Sequence, residues 1–138
     1  MTDLLNKCSQ RYGKKRGVMV IAYNGGSQNC SNVQDLIEVL NIRDEGNCNE
    51  FWLSEEYEKN PTLAILVCGG NAFLTYFPEE GHPGFQSLNA NGDADEVTDF
   101  DIFEISGEYV VSFSLTVKAA QEFYERQELP TCLEWEEL

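Results

Sequence analysis

The chain holds one histidine, His82, in the run Phe77-Pro78-Glu79-Glu80-Gly81-His82-Pro83-Gly84-Phe85. An imidazole beside carboxylates is the raw material of general acid–base catalysis, and with a nearby hydroxyl or thiol it can activate a nucleophile. Catalysis also needs a frame that fixes the rotamer of the base, whereas the prolines and glycines around His82 predict a surface turn. No Gly-x-Ser-x-Gly or Cys/His signature accompanies it. The run therefore reads as a shaped surface that meets another molecule. Glu79, Glu80 and His82 are its polar contacts, and Phe85 is either the aromatic anchor of a contact or a side chain tucked into a sheet. One histidine without a paired cysteine is also a thin ligand set for zinc.

Carboxylates gather again in LNANGDADEVTDFD, Leu88 to Asp101. A calcium loop of the EF-hand type wants glycine sixth and glutamate twelfth, but counting from Asn89 the glycine falls fourth and the twelfth residue is Phe100. The pattern fails, and the segment reads as a mobile acidic loop too polar to pack. Its Asp93, Asp95, Glu96, Asp99 and Asp101 form a second set of partner contacts. Cys68-Gly69-Gly70-Asn71 lacks a following helix and a P-loop lysine, so its glycines make a turn rather than a phosphate cradle. The five cysteines, Cys8, Cys30, Cys48, Cys68 and Cys132, are odd in number and contain no C-x-x-C pair. They predict neither a disulfide framework nor a zinc site, and Cys68 reads as a small buried hydrophobe. No catalytic constellation, metal or cofactor is expected, which favours a binding protein over an enzyme.

Charge is the dominant compositional signal. The chain has 9 basic and 24 acidic residues, and five of the bases (Lys7, Arg11, Lys14, Lys15, Arg16) precede Gly17. The remainder carries four bases against 23 acids. Such a surface repels nucleic acid and anionic membrane and steers basic partners into fast, salt-sensitive encounter. The longest apolar run, Leu63 to Cys68, is far short of the ~20 residues a membrane helix needs. The amino terminus begins with an acid and places its bases after its few apolar residues, the reverse of a secretory signal, which predicts a cytoplasmic protein.

With 138 residues the chain is long enough for one self-sufficient domain. Leu4, Leu5, Cys8 and Tyr12 have helical spacing and predict a short helix within residues 1–16. Gly17 to Tyr23 predicts a buried strand closed by Asn24-Gly25-Gly26. A capping box of Ser31 and Gln34 predicts the next helix, with Val33, Leu36, Ile37 and Leu40 on its inner face. Phe51 to Ser54 reads as a strand, and Thr62 to Phe77 as a hairpin folded at Gly69-Gly70. A second hairpin is predicted to pair Ile102–Ile105 with Tyr109–Ser114. A helix capped by Ser114 or Thr116 runs to about Gln127, presenting Val117, Ala120, Phe123 and Tyr124, and Leu133 with Trp135 add a short strand after Pro130. The sum is an α+β fold, an antiparallel sheet built from hairpins with flanking helices.

Two segments, Pro61 to Ser87 and Ser114 to Leu138, resemble the bacterial immunity proteins of polymorphic-toxin systems, in particular the family that guards cells against deaminase toxins among others. The carboxy-terminal part of the resemblance is a helix with Ala119 or Ala120 and Phe123, then Pro130, then Leu133-x-Trp135 and a closing Leu138. It implies a small non-enzymatic α+β protein that binds a cognate toxin domain, basic and of deaminase or nuclease type, and covers its active site or nucleic-acid groove. Contact residues in that family follow each member's own toxin, so Phe123, Pro130, Leu133 and Trp135 are expected to hold the fold. The rival expectations are an adaptor or chaperone-like protein of a secretion system and, less favoured, a small hydrolase using His82.

Overall fold

The computed structural model describes residues 18–100 and 104–138. The helix expected within residues 1–16 lies outside them, as does Asp101.

Among the described residues an eight-stranded, mostly antiparallel sheet and two α-helices make up the α+β fold. The strands are β1 (Met19–Tyr23), β2 (Gly26–Cys30), β3 (Cys48–Ser54), β4 (Thr62–Cys68), β5 (Asn71–Phe77) and β6 (Phe85–Leu88). Next come β7 (Val97–Asp99), β8 (Glu104–Ser106), β9 (Val111–Ser112) and β10 (Glu134–Glu137), with helices α1 (Val33–Leu40) and α2 (Phe113–Arg126). Across the main sheet the order is β10-β6-β5-β4-β3-β1-β2, with β9 on the edge of β5, while β7 and β8 pair only with each other.

Local chemistry explains each departure from the sequence reading. Asn24 and Gly25 have φ 52° and 76°, the two positive values a two-residue hairpin turn needs, so β2 pairs at once with β1. Its sequence, Gly-Ser-Gln-Asn-Cys, reads as loop by composition, and among the described residues it pairs on one side only, with β1. The cap of α1 sits one residue later than expected: Asn32 accepts from the N–H of Asp35, and Asp35 accepts from the N–H of Ser31. The β4–β5 hairpin forms as expected, Cys68 opposite Asn71 with Gly69 left-handed at φ 60°. Ser112 caps α2, and Gln127 closes it in the left-handed region at φ 54°.

Two expectations are overturned. Glu104–Ser106 pairs with Val97–Asp99, and Val111–Ser112 pairs with Ala72 and Asn71, so the predicted hairpin between Ile102–Ile105 and Tyr109–Ser114 does not form. Gly107–Tyr109 is a short 3₁₀ turn that sends the two flanks to different partners. Cys48 and Cys68 stand directly opposite each other on β3 and β4 and are joined by a disulfide, so Cys68 is not a simple buried hydrophobe. Spacing along the chain carries no trace of that pairing; the strand register creates it.

Strand alternation gives the sheet two faces. On one lie Met19, Ile21, Phe51, Leu53, Leu63, Ile65, Leu74 and Tyr76, covered by Leu36, Val39 and Leu40 of α1 and by Ala119, Ala120 and Phe123 of α2. The two alanines keep the surface of α2 low where it meets large sheet residues. Pro130 is buried, and Trp135 donates its indole N–H to the Pro130 carbonyl at 2.8 Å. Of the carboxy-terminal signature, Phe123 and Pro130 are thus buried, Leu133 and Trp135 pack against the core, and the closing Leu138 is 53% exposed. The other face holds Val20, Ala22, Trp52, Ala64, Leu66, Phe73, Thr75 and Phe77, and among the described residues no α-helix lies on it.

Candidate functional site

Half of that helix-free face is roofed. Phe100, Ile105 and Val110 form a second small core against Leu66, Cys68, Phe73 and Tyr109, at the Gly69-Gly70 end of the sheet. Residues 89–100 and 104–112 contribute to this roof, and backbone contacts lock it. Asn89 donates to the Glu108 carbonyl at 2.7 Å, Gly107 donates to that of Glu96 at 2.8 Å, and the Asn89 amide donates to that of Val110 at 2.9 Å. A Cβ on Gly92 would lie 2.1 Å from the Gly107 carbonyl oxygen, so the two backbones pass where only glycine fits.

The segment expected to be a mobile, unpackable acidic loop is therefore a laced one. Asp93 accepts from the Asp95 N–H at 2.9 Å in an Asx-type turn. Its polarity misled because Asn and Asp bond their own backbone, leaving Phe100 free to enter the core at 1% exposure.

The other half of the face is open. Trp52 and Phe77 lean toward each other across Thr62 and Ala64 of β4, which are small enough to allow it, and their rings stack 12° from parallel with centroids 6.0 Å apart. They wall an open groove of about 620 Å³ whose floor includes Val20, Ala22, Ser54 and Thr62. Trp52 is 41% exposed and Tyr57, on the rim, 59%. Two further depressions of about 420 and 110 Å³ also have Trp52 in their walls, making its indole the centre of the open surface.

The rim is shaped by the segment between β3 and β4. Ser54 Oγ donates to the Glu56 carbonyl at 2.6 Å and Thr62 Oγ1 to that of Lys59 at 2.9 Å, a turn that carries Tyr57 and Glu58. Opposite stand Glu79, Glu80 and His82. With Asp44 and Glu50 in the adjoining depressions, the lining of all three contains five carboxylates and no lysine or arginine. Lys59, just outside, is paired with Glu56 at 3.5 Å.

His82 has both ring nitrogens engaged. Nδ1 accepts from the Gly84 N–H at 2.8 Å, and Nε2 lies 2.9 Å from Glu137 Oε2. The first contact leaves Nδ1 as an acceptor, so Nε2 carries the proton and donates it to the carboxylate. Its ring stacks on Phe85 with centroids 5.2 Å apart. Gly84 adopts φ 106°, and a Cβ there would come 2.9 Å from Thr75 Cγ2. Imidazole, glycine and Phe85 thus strap the loop to the carboxy-terminal strand, and the carboxylate that His82 meets is Glu137 rather than Glu79 or Glu80.

The expected contact residues do not converge. Glu79, Glu80 and His82 line the groove. Phe85 lies half-buried on the helix side, its ring tilted against Tyr76. Asp93, Asp95 and Glu96 are exposed on the roof and Asp99 lies in β7, about 20 Å away at the far end of a seven-residue strand. Sequence reasoning missed Trp52, Phe77, Tyr57 and Glu58. The signal for Trp52 was there: between Phe51 and Leu53, both wholly buried, period-two alternation turns the largest side chain in the strand outward.

The groups whose titration burial displaces lie elsewhere. Burial, with a smaller push from Asp35, raises the Cys30 thiol to about 11, and burial with neighbouring Glu108 and Glu136 raises the Tyr109 hydroxyl. Among the described residues no three His, Cys, Asp or Glu side chains are grouped to hold a metal ion, and no helix is long and apolar enough to cross a membrane. No protein-family model matches the chain, and no curated protein matches it in sequence.

Proposed function

We propose that this chain is a non-enzymatic immunity protein that binds a cognate bacterial toxin domain of deaminase or nuclease type and covers its active site or nucleic-acid groove. The observation that carries this reading is the open half-face: a stacked aromatic pair in a groove edged by carboxylates, on a chain of net charge −15. Exposed aromatics supply contact area at low entropic cost, and a carboxylate rim supplies steering and charge-assisted hydrogen bonds to a basic partner. A domain that acts on nucleic acid presents basic surface to phosphate, which an acidic protein can occupy in the substrate's place.

The test is capture by the tagged protein from its native cells under stringent washing, followed by assay of the captured domain with and without the chain. One stoichiometric basic partner, inhibited on binding and released by high salt, is the expected result. Recovery of nothing from cells that make a candidate toxin sinks the proposal, and recovery of several weakly held partners turns it toward an adaptor.

A further inference from the structure

We infer that the Trp52–Phe77 groove is an arginine-reading site: it takes a guanidinium from a basic segment of a partner protein, laid flat on the indole and ringed by Glu58, Glu79 and Glu80. This inference rests on the proposed partner binding and deepens it by naming the anchoring chemistry.

Three observations converge. First, Trp52 and Phe77 form a nearly parallel pair, 12° between planes, so the groove has a flat aromatic wall, and Trp52 is 41% exposed. A planar cation stacks on such a wall, and tryptophan gives the strongest attraction of the aromatic side chains. Second, the lining holds Glu58, Glu79 and Glu80 with no lysine or arginine, so a cation entering meets attraction from both rims. Third, the partner's side chain has to do two things at once, stack and donate in several directions. Arginine has a flat face and five in-plane donors; lysine is a compact, strongly hydrated point charge that does the second only. Charge complementarity excludes an acidic or phosphorylated segment.

The probe is a short glycine-flanked peptide with two arginines, compared with its lysine and glutamate counterparts, titrated into the isotopically labelled full chain. The chain has two tryptophans, so its indole N–H region shows one signal each for Trp52 and Trp135, assigned with Trp135→Phe. The expected result is a saturable shift of the Trp52 signal with the arginine peptide, about tenfold tighter than with the lysine peptide, while the Trp135 signal, held on the Pro130 carbonyl, stays in place. Glu79→Gln with Glu80→Gln, both at exposed positions, weakens the titration several-fold, and Trp52→Ala abolishes it. Equal response to lysine and arginine overturns the inference, because simple charge attraction would then suffice. A Trp52 signal that moves with protein concentration alone also overturns it, marking a self-association surface. The two readings fail separately. A toxin captured undiminished by Trp52→Ala removes the arginine site and leaves the immunity role standing; an arginine peptide that binds at Trp52 without any toxin partner does the reverse.

Discussion

The two halves of the helix-free sheet face differ in cover rather than in composition. At the Gly69-Gly70 end, Leu66 and Phe73 lie under Phe100, Ile105 and Val110; at the other end, Trp52 and Phe77 lie under nothing the described residues supply. Both ends present an aromatic side chain from β5, Phe73 at one and Phe77 at the other. The chain roofs one with the largely polar stretches 89–100 and 104–112 and rims the other with carboxylates. An apolar patch left bare to water points to association, and on the proposed reading the carboxylates restrict which associates are admitted. On the proposed reading the covered half serves stability and the open half recognition, a division that mutations can break from either side.

The largest effect is expected from Phe100→Ala. Its ring is 1% exposed and is the largest of the three buried side chains of the small core, so truncation is expected to cost about 3–5 kcal/mol and to detach the roof. Chemical denaturation gives the first number, and faster amide exchange at Asn89 and Gly107 reports the second. If the roof stays closed, the two halves are not held by different means.

Cutting the cross-strand disulfide comes next. Cys48→Ser with Cys68→Ser removes a link closing 20 residues of chain beside the small core, worth about 3 kcal/mol by the chain-entropy account. Gly92→Ala is expected to cost about 1–3 kcal/mol, because its methyl group would lie 2.1 Å from the Gly107 carbonyl oxygen and one backbone has to move. Midpoints in urea check both, and the two losses should add to less than their sum if disulfide and glycine brace one unit.

How much of this was legible in the sequence follows the range of the interactions. The β4–β5 hairpin, both helices and the terminal strand were readable because turn glycines, caps and periodicity act within a few residues. The roof was not. Val97–Asp99 finds Glu104–Ser106 and Val111–Ser112 finds β5 through contacts whose partners no local pattern names. Ser87 shows the difficulty: its hydroxyl accepts from the Leu74 N–H at 3.1 Å and donates to the Tyr109 carbonyl at 2.9 Å, closing the sheet where β6 diverges from β5. Glu79, Glu80 and His82 were found at the groove because loops with exposed acids advertise themselves. Trp52 and Phe77 were missed because aromatics in strands read as core until the register shows which face they share.

His82→Ala probes the strap that frames the open half. It removes the bond to Glu137 and the acceptor for the Gly84 N–H, together with the stack on Phe85, for an expected loss of about 2 kcal/mol. Glu137→Gln keeps a partner for Nε2 and is expected to cost less than half as much. A double-mutant cycle on the two positions measures the coupling; none at all would mean that the loop is held by Gly84 and Phe85 alone.

The smallest effect on folding is expected where the effect on binding is largest. Trp52→Ala removes a ring that faces solvent on one side and Phe77 on the other, so its loss should cost about 1 kcal/mol, the usual worth of an aromatic pair. The contrast with Phe100→Ala is the sharpest form of the comparison: two aromatics over one sheet face, one whose truncation moves the urea midpoint severely and one whose truncation barely does. Partner capture should rank them the other way in protein that is still folded, with Trp52→Ala weakening capture well beyond its folding cost. A Trp52→Ala variant as unstable as Phe100→Ala would place the indole in the core and merge the two halves into one. A variant that is stable and also captures its partner normally would leave the open half bare without a use, and would move the search for the contact surface to Asp93, Asp95 and Glu96 on the outside of the roof.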